Sequence, residues 1–316
     1  MQGIHPVNFE ASIVIPLLNQ ADAWLNQAVV SALDQTARCE VLVVTSAETC
    51  NSNLEVLQRL STDRTDLRVL RQPPGQQFAA ALNLGIREAS ADRIGFLMSD
   101  DWLDPEAVAA CLARSEDIVS TGRTFCAADG TTVLDQLTEV HTEMAFKALR
   151  TMADRATFLS HFFLIRRAAL DRAGGVDETI GNTPGVDDFD LIWRMLEQGA
   201  SVGIVPAALY NYRDHEDLRL TRRDRAEMLA TFQRILDKHS LSSRERRRVL
   251  AIHSPWFGSS MRARYEELTP AVRLPLLLRQ LQQVYRRAVP LPTRLSIHDR
   301  FLRWGGRAKA ADSHRS

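Results

Sequence analysis

Two adjacent carboxylates, Asp100 and Asp101, follow an apolar run at residues 94–97 that is typical of a buried strand. Asp104 and Pro105 come next and are typical of a helix start, because aspartate caps a first turn and proline fits its first position. In an open α/β sheet, ligands bind at the carboxyl ends of the strands. Mg²⁺ and Mn²⁺ prefer oxygen ligands and combine one or two carboxylates with substrate oxygens. The sequence therefore predicts a site for a divalent cation and a phosphorylated ligand at this acidic pair.

A second acidic pair, Asp187 and Asp188, heads an amphipathic segment that runs to Leu196. Acids in the first turn of a helix complement the helix dipole, which is the ordinary explanation for such a pair. The residues alone give this pair no further role.

The segments before Asp100 alternate between strand-like and helix-like patterns. Short apolar runs predict strands, and apolar residues at helical spacing predict the helices between them. The predicted strands are residues 11–16, 41–44, 67–70 and 94–97, and the predicted helices are 22–35, 53–60 and 78–89. This alternation predicts an α/β fold with a mainly parallel, doubly wound sheet and right-handed crossovers.

The pattern after Pro105 is less regular. Residues 158–165 are apolar enough for a strand or a buried helical turn. Further strands are predicted at residues 117–121, 202–205 and 209–212, with a turn at 128–131.

The composition is that of an ordinary globular protein: 316 residues, 45% hydrophobic and 25% charged. The net charge is zero but unevenly spread. Residues 241–316 carry 16 Lys and Arg against 5 Asp and Glu, so residues 1–240 carry a net charge of −11. Four cysteines lie apart without a metal-binding spacing, which predicts reduced thiols.

The first ten residues have neither the basic nor the apolar region of a signal peptide. No apolar run approaches the length of a membrane span. We therefore expect a cytoplasmic protein, with any membrane contact at the inner face of the membrane.

Seven short motifs follow one another across about two thirds of the chain. They are residues 12–16 with Asn19, 31–36, 83–86, 96–97 before Asp100 and Asp101, 174–178, 187–191 and 212–215. This series resembles the inverting glycosyltransferases of family 2, which have a GT-A fold. The resemblance implies a Rossmann-like, mainly parallel central sheet flanked by helices. It also implies transfer of a sugar from a nucleotide-diphosphate donor to a hydroxyl acceptor, in cell-surface polysaccharide or glycolipid synthesis.

The resemblance assigns the cation and the donor to particular residues. It implies a divalent cation, Mn²⁺ or Mg²⁺, that is held by Asp100, Asp101 and His215 and bridges the donor phosphates. The cation would lower the charge on the leaving diphosphate. The residues implied for nucleotide-sugar binding are Pro16, Asn19, Glu48, Asn83 and Asp100. A lone histidine is often a satisfied core residue, so that alternative stays open for His215.

The resemblance also assigns the general base to Asp188. A base here would take the proton of the acceptor hydroxyl on the face opposite the leaving group, so that one displacement inverts the anomeric carbon. Trp102, Asp187 and Phe189 would lie on the acceptor side. An aromatic residue at helical spacing is more often part of the core, and this alternative stays open for Phe189.

The sequence departs from the family pattern at two places. Residues 45–50 lack the paired aspartates that usually follow the second strand, and Met98 replaces the first acid of the metal motif. We expect weaker or altered binding of metal and nucleotide. The alternative function is a degenerate, non-catalytic member that binds a nucleotide sugar or a glycan and acts as a partner protein. A nucleotidyltransferase would need a Gly-rich phosphate loop, which residues 16–20 lack.

The predicted domains are a GT-A glycosyltransferase domain at residues 1–225 and a helical, basic C-terminal extension at 226–316. Residues 242–252, 270–287 and 301–304 combine arginines with apolar residues. The expected acceptor is a saccharide or a lipid-linked molecule, and such a surface can lie on anionic lipid, which would suit a lipid-linked acceptor. The alternative is a helical cap on the acidic body, since prolines interrupt any long helix. No nucleic-acid partner is expected, because the tail contains no recognised binding module.

Overall fold

The computed structural model describes residues 8–62, 64–136, 142–149, 151–159, 162–180, 187–215, 225–247 and 249–250. Within these residues, nine strands form one mixed sheet that is flanked by helices.

The first half of the chain builds a parallel sheet by regular alternation. Its elements are β1 (Ala11–Leu17), α1 (Asp22–Leu33), β2 (Cys39–Thr45), α2 (Asn51–Ser61), β3 (Leu67–Arg71), α3 (Phe78–Glu88) and β4 (Arg93–Phe96). The strands lie in the order β3-β2-β1-β4, and each neighbouring pair is parallel. Both faces of the central strands are covered by helices, which is why these strands are nearly continuous apolar runs.

The second half mixes strand directions. Its elements are β5 (Trp102–Leu103), α4 (Ala107–Leu112), β6 (Ile118–Ala127), β7 (Val133–Gln136), α5 (Glu143–Ala148), α6 (Met152–Phe158), β8 (Phe163–Arg166), α7 (Arg167–Ala173), a 3-10 helix (Glu178–Ile180), α8 (Asp187–Glu197), β9 (Val202–Asp214) and α9 (Arg225–Lys238). The sheet continues from β4 in the order β8-β6-β9-β5, and β7 pairs with β6.

The strand directions decide which ends meet. Strand β8 is antiparallel to both β4 and β6, so β6 has the direction of β4 again. Strand β9 is parallel to β6. The carboxyl ends of β1, β2, β4, β6 and β9 therefore lie at one edge of the sheet. The α/β fold predicted from the sequence is confirmed, with a mixed rather than parallel second half.

Three local predictions differ from the structure. Helix α4 begins at Ala107, two residues after Pro105. The strands predicted at residues 202–205 and 209–212 are one strand, β9, whose register against β6 shifts near Gly122. The two-residue strand β5 was not predicted, because its pairing partners Tyr210 and Asn211 lie far along the chain.

The core has one layer on each face of the sheet. Side chains of successive strand residues point to opposite faces. In β1, Val14 packs with the layer that includes α3, α6, α7 and α8, whereas Ile13 and Ile15 pack with the layer that includes α1, α2 and α4.

Helix α9 belongs to the first of these layers. Phe232, Ile235 and Leu236 are fully buried, and the ring of Phe232 stacks on Phe189 of α8 at a centroid distance of 5.2 Å. The predicted domain division between residues 225 and 226 thus falls at the start of α9, whose side chains form part of this core layer.

The described part of the chain contains no helix that is both long and apolar enough to cross a membrane. The basic segments predicted at residues 270–287 and 301–304 lie outside the described residues, as does most of the C-terminal extension.

Candidate active site

Asp100 and His215 meet at the carboxyl edge of the sheet. Asp100 lies in the turn after β4, and His215 follows the last residue of β9. The Nε2 atom of His215 lies 2.9 Å from Oδ2 of Asp100. The side chain of Asp100 is 26% exposed, whereas that of His215 is 3% exposed. The pair therefore presents a carboxylate to solvent with an imidazole behind it.

Asp101 is enclosed instead of exposed. The hydroxyl of Tyr210 donates a hydrogen bond to its Oδ2, and the backbone N–H of Arg213 donates to its Oδ1 at 2.7 Å. Burial, with the neighbouring charge of Asp100, raises the pKa of the Asp101 carboxyl well above its ordinary value. Protein donors thus engage both oxygens of Asp101, and the direct metal contact predicted for this residue stays a prediction.

The donor set at Asp100 and His215 suits a hard divalent cation. Among the residues that the structure describes, no group of three or more His, Cys, Asp or Glu is placed to hold a metal ion. Mg²⁺ usually takes one or two carboxylates, keeps several waters and completes its shell with substrate phosphates. The 2.9 Å contact between Nε2 and Oδ2 is a hydrogen bond that brings an imidazole nitrogen and a carboxylate oxygen together. These two atoms could serve as the protein ligands of an ion that takes its other ligands from water and phosphate.

The predicted base, Asp188, lies in the first turn of α8. It is half-buried, and its Oδ1 accepts a hydrogen bond from the backbone N–H of Phe189 at 2.7 Å. Asp187 is buried and accepts from the N–H of Asp188 at 3.1 Å. Burial raises the pKa of Asp188, and the Phe189 amide and the charge of Arg123 offset part of that rise. The carboxylate is thus held by its own helix and is a stronger base than an exposed aspartate.

The two predicted acceptor-side aromatics have different environments. Phe189 is 3% exposed and packs between Trp193, at 5.4 Å, and Phe232, at 5.2 Å. This burial does not fit contact with a sugar. Trp102 is half-buried, and the guanidinium of Arg213 lies 4.7 Å from its ring centroid.

The loop after β2 is closed by its own polar groups. Ser46 Oγ accepts from the N–H of Glu48 at 3.0 Å, and Thr49 Oγ1 accepts from the N–H of Ser46 at 3.0 Å. The Asn19 amide bridges to this loop, since its Oδ1 accepts from the N–H of Cys50 at 2.7 Å and its Nδ2 donates to the carbonyl of Glu48 at 3.2 Å. The hydroxyls of Ser46 and Thr49 therefore shape the loop, and the Glu48 side chain is exposed at its tip.

Two more residues that were predicted to bind the donor, Pro16 and Asn83, contact other parts of the protein. Pro16 is buried within β1, opposite Val44 of β2. Asn83 Nδ2 donates to the Val176 carbonyl and to Glu178 Oε1, both at 2.8 Å, and its Oδ1 accepts from the Val176 N–H at 2.9 Å. Asn83 thus fixes the loop after α7, which does not fit a nucleotide contact.

Sequence reasoning missed three residues around the Asp100–His215 pair. The ring of Trp24 lies 4.7 Å from that of His215. Gln27 accepts a hydrogen bond from Arg213, and Tyr210 donates one to Asp101. Trp24 and Gln27 are three residues apart on α1, a spacing that marks one helical face. Nothing in the sequence indicates what that face contacts.

A sequence model of the family described as Glycosyl transferase family 2 matches residues 12–174, which is just over half of the chain. The chain belongs to glycosyltransferase family 2. The family predicted from the seven motifs is therefore confirmed.

Curated relatives of this family 2 chain are similar to it over part of their length. The O-antigen biosynthesis protein RfbC of Myxococcus xanthus is 28% identical over 212 residues, which cover 64% of this chain and 16% of the relative. The chondroitin synthase of Pasteurella multocida is 30% identical over 194 residues, which cover 60% of this chain and 19% of the relative. The chain thus spans less than a fifth of either protein.

Solved structures share the fold of this family 2 chain. The TarS 1–349 structure from S. aureus, in complex with UDP-GlcNAc, aligns with a TM-score of 0.60 and 14% identity, covering 83% of this chain and 77% of TarS 1–349. GalNAc-T7 with UDP, GalNAc and Mn²⁺ aligns with a TM-score of 0.57 and 12% identity, covering 74% of this chain and 48% of that one. The predicted GT-A type fold is confirmed.

Proposed function

We propose that this protein is an inverting glycosyltransferase that moves a sugar from a nucleotide-diphosphate donor to a hydroxyl acceptor. The observation that carries the proposal is the contact of Asp100 with His215 at the carboxyl edge of a GT-A type sheet. Membership of glycosyltransferase family 2 supports it. Asp188, with its raised pKa, supplies a carboxylate suited to proton abstraction.

The substrates that we propose are based on the names of the relatives and on the ligand of one solved structure. RfbC is named for O-antigen biosynthesis, and the chondroitin and hyaluronan synthases are named for other polysaccharides. TarS 1–349 is in complex with UDP-GlcNAc. These names support a nucleotide-sugar donor and a saccharide or lipid-linked acceptor in polysaccharide or glycolipid synthesis.

In the proposed site, Asp100 and His215 would hold the divalent cation, Mn²⁺ or Mg²⁺. The Mn²⁺ in the GalNAc-T7 structure supports this choice. When bound, such an ion supplies positive charge that stabilises the leaving diphosphate. Asp101 would help to position Asp100, because its hydrogen bonds to Tyr210 and to the Arg213 backbone fix the turn that carries both aspartates.

Asp188 would act as the general base. Its carboxylate takes the proton of the acceptor hydroxyl as the hydroxyl oxygen bonds to the anomeric carbon. The bond from that carbon to the diphosphate oxygen breaks on the opposite face, and the diphosphate leaves with the bonding electrons. A base whose pKa lies nearer to neutral pH is more effective in this role, and burial moves the pKa of Asp188 in that direction.

A second candidate function is binding of a nucleotide sugar or glycan without turnover. Met98 stands where the metal motif usually begins with an acid, and the hydroxyls of Ser46 and Thr49 bond within their own loop. These features favour altered donor binding. Contact of the basic residues 241–316 with the inner face of a membrane also stays a prediction, which flotation with anionic liposomes at low salt would test.

The proposed function is tested with UDP-, GDP-, dTDP- and CMP-linked sugars. Binding and slow donor hydrolysis are measured with Mn²⁺, with Mg²⁺ and with EDTA. Metal-dependent hydrolysis of one donor supports the transferase. Binding without hydrolysis or transfer to any acceptor supports the second candidate. The absence of both binding and hydrolysis contradicts the transferase and leaves only glycan binding from the second candidate.

A further inference from the structure

Arg213 lies at the centre of a cluster behind Asp100 and His215 and has no part in the reaction described above. Its side chain is buried, with the residue only 2% exposed. The guanidinium carbon lies 4.9 Å from the ring centroid of Trp24 and 4.7 Å from that of Trp102. Arginine over an aromatic face is attracted by the ring electrons, and the attraction is stronger where water is excluded.

Each nitrogen of the Arg213 side chain donates to a protein oxygen. Nε donates to the carbonyl of Asp100 at 2.9 Å, Nη1 to the carbonyl of Ala128 at 2.8 Å, and Nη2 to Oε1 of Gln27 at 2.6 Å. The backbone N–H donates to Asp101. One residue of β9 thereby joins α1, the acidic turn after β4, and the turn between β6 and β7.

The turn between β6 and β7 is shaped to admit this side chain. Gly130 has a positive φ of 71°, and a Cβ placed on it would lie 2.7 Å from Nη1 of Arg213. A side chain at position 130 would therefore both strain the backbone and push against the guanidinium.

Helix α1 contacts both Arg213 and the predicted metal pair. The guanidinium carbon lies over the ring of Trp24, and the same ring packs against that of His215 at 4.7 Å. Gln27, one turn later on the same helix face, accepts from Arg213. A movement of α1 would therefore be transmitted to His215 directly and to Asp100 through Arg213.

We infer that Arg213 is a positioning residue: held by Trp24, Trp102 and Gln27, it fixes the Asp100–Asp101 turn to the end of β9 so that Asp100 and His215 face each other. The guanidinium is buried beside the rings of Trp24 and Trp102 and is bonded to protein at each nitrogen. It therefore serves this connection between the acidic turn and the end of β9, here called the joint, and not a donor phosphate. The consequence for metal binding rests on the proposed function. The joint itself does not.

Amide hydrogen exchange of the unliganded protein tests the joint. Gln27→Leu and Trp24→Leu remove one partner each, Gln27→Glu keeps an acceptor oxygen, and Asn26→Leu changes an exposed residue of the same helix. Loss of a buried hydrogen bond is worth about a factor of ten in a local equilibrium. We expect exchange about tenfold faster at residues 99–103 and 211–215 in the first two variants and unchanged in the last two. Equal exchange in all four variants, or an increase spread evenly over β1, β2 and β4, would overturn the inference.

Binding of Mn²⁺ alone, followed by the electron paramagnetic resonance signal of the free ion, tests the consequence. Gln27→Leu and Trp24→Leu should weaken binding about tenfold, whereas Gln27→Glu and Asn26→Leu should match the wild type. Local exchange changes without any loss of Mn²⁺ affinity would overturn the positioning role. If the wild-type protein binds no Mn²⁺, the proposed cation site fails, and the exchange result still decides whether Arg213 forms the joint.

Discussion

The imidazole Nε2 of His215 lies 2.9 Å from a carboxylate oxygen of Asp100, although 115 positions separate the two residues in the chain. They meet because β4 and β9 run in the same direction and end at the same edge of the sheet. The contact brings together a carboxylate and an imidazole, two groups that can act as ligands of a divalent cation.

Removing either member of this pair should weaken metal-dependent donor binding. Asp100→Asn and His215→Ala should each lower the affinity about tenfold or more, because each removes a ligand from the same ion. The double variant should lose less than the product of the two effects, since the second change acts on an ion that is already weakly held. Calorimetric titration of the donor with and without Mn²⁺ measures this. Glu106→Gln, at an exposed acid nearby, is the control. Strictly multiplicative losses would argue that the two residues act separately.

Replacing the proposed base should remove turnover and leave donor binding intact. Asp188→Asn should reduce the transfer rate by about 10²–10⁴-fold, the usual contribution of a general base. Donor affinity should change little, because Asp188 acts on the acceptor hydroxyl. Asp171→Asn, at an exposed acid of α7, should keep both properties. Full turnover by Asp188→Asn would show that another group takes the proton.

The pH dependence of transfer should reflect the raised pKa of Asp188. The base works when deprotonated, so kcat/KM should be low in acid, rise through this pKa and then level off. Because burial raises the pKa, the rise should come at a higher pH than for an ordinary aspartate. Asp188→Glu should keep an acid limb at a shifted midpoint, whereas Asp188→Asn should leave only a flat residual rate. An acid limb unchanged in Asp188→Asn would assign it to another group.

Asn83 offers a test between a donor contact and a structural bond. Asn83→Ala removes three hydrogen bonds to Val176 and Glu178, so the free energy of unfolding should fall by about 1–3 kcal/mol. Donor affinity at a temperature well below melting should be unchanged. Denaturant unfolding and donor titration measure the two properties, with Arg87→Ala on the exposed face of α3 as the control. A stable variant with weak donor binding would restore the predicted donor role.

Helix α9 should be required for stable folding of the central sheet and the helices that cover it. Phe232→Ala should lower the free energy of unfolding by about 3–5 kcal/mol, because the ring is fully buried against Phe189. Gln233→Ala, at the next position, should cost far less. A chain ended at residue 225 should not unfold cooperatively, since Phe189 and Trp193 would lose their cover. Cooperative unfolding of that shorter chain would support the domain division predicted at residues 225 and 226.

The fold of the first half was predictable because its signals are local. Strands β1, β2 and β4 are covered on both faces, so they appear as apolar runs in the sequence, and the intervening helices have their own periodicity. Strand β5 was missed because two residues, Trp102 and Leu103, carry no periodicity, and only pairing with β9 makes them a strand. Strand β9 was split because Pro206 lies in the middle of it, and a proline argues against a continuous strand.

The candidate site was predictable only in part, for a related reason. Asp100 and His215 stood out because their residue types and motif order carry chemistry. Trp24 and Gln27 have ordinary helical positions, and their partners lie far away, 186 positions for the Gln27–Arg213 bond. Asp101 and Asn83 matched family motifs, but their hydrogen bonds to Tyr210 and Val176 appear only in three dimensions.

Strand β9 is inserted between β6 and β5, and this placement sets an order of events during synthesis. Asp101 leaves the ribosome 109 residues before its partner Tyr210. Until β9 arrives, β5 has no neighbour and the acidic turn lacks the groups that hold it. Closing so long a loop is entropically costly, and non-local pairing of this kind is slow. The edge that we propose binds the donor is therefore completed late, after the strands β1 to β4 have all been made.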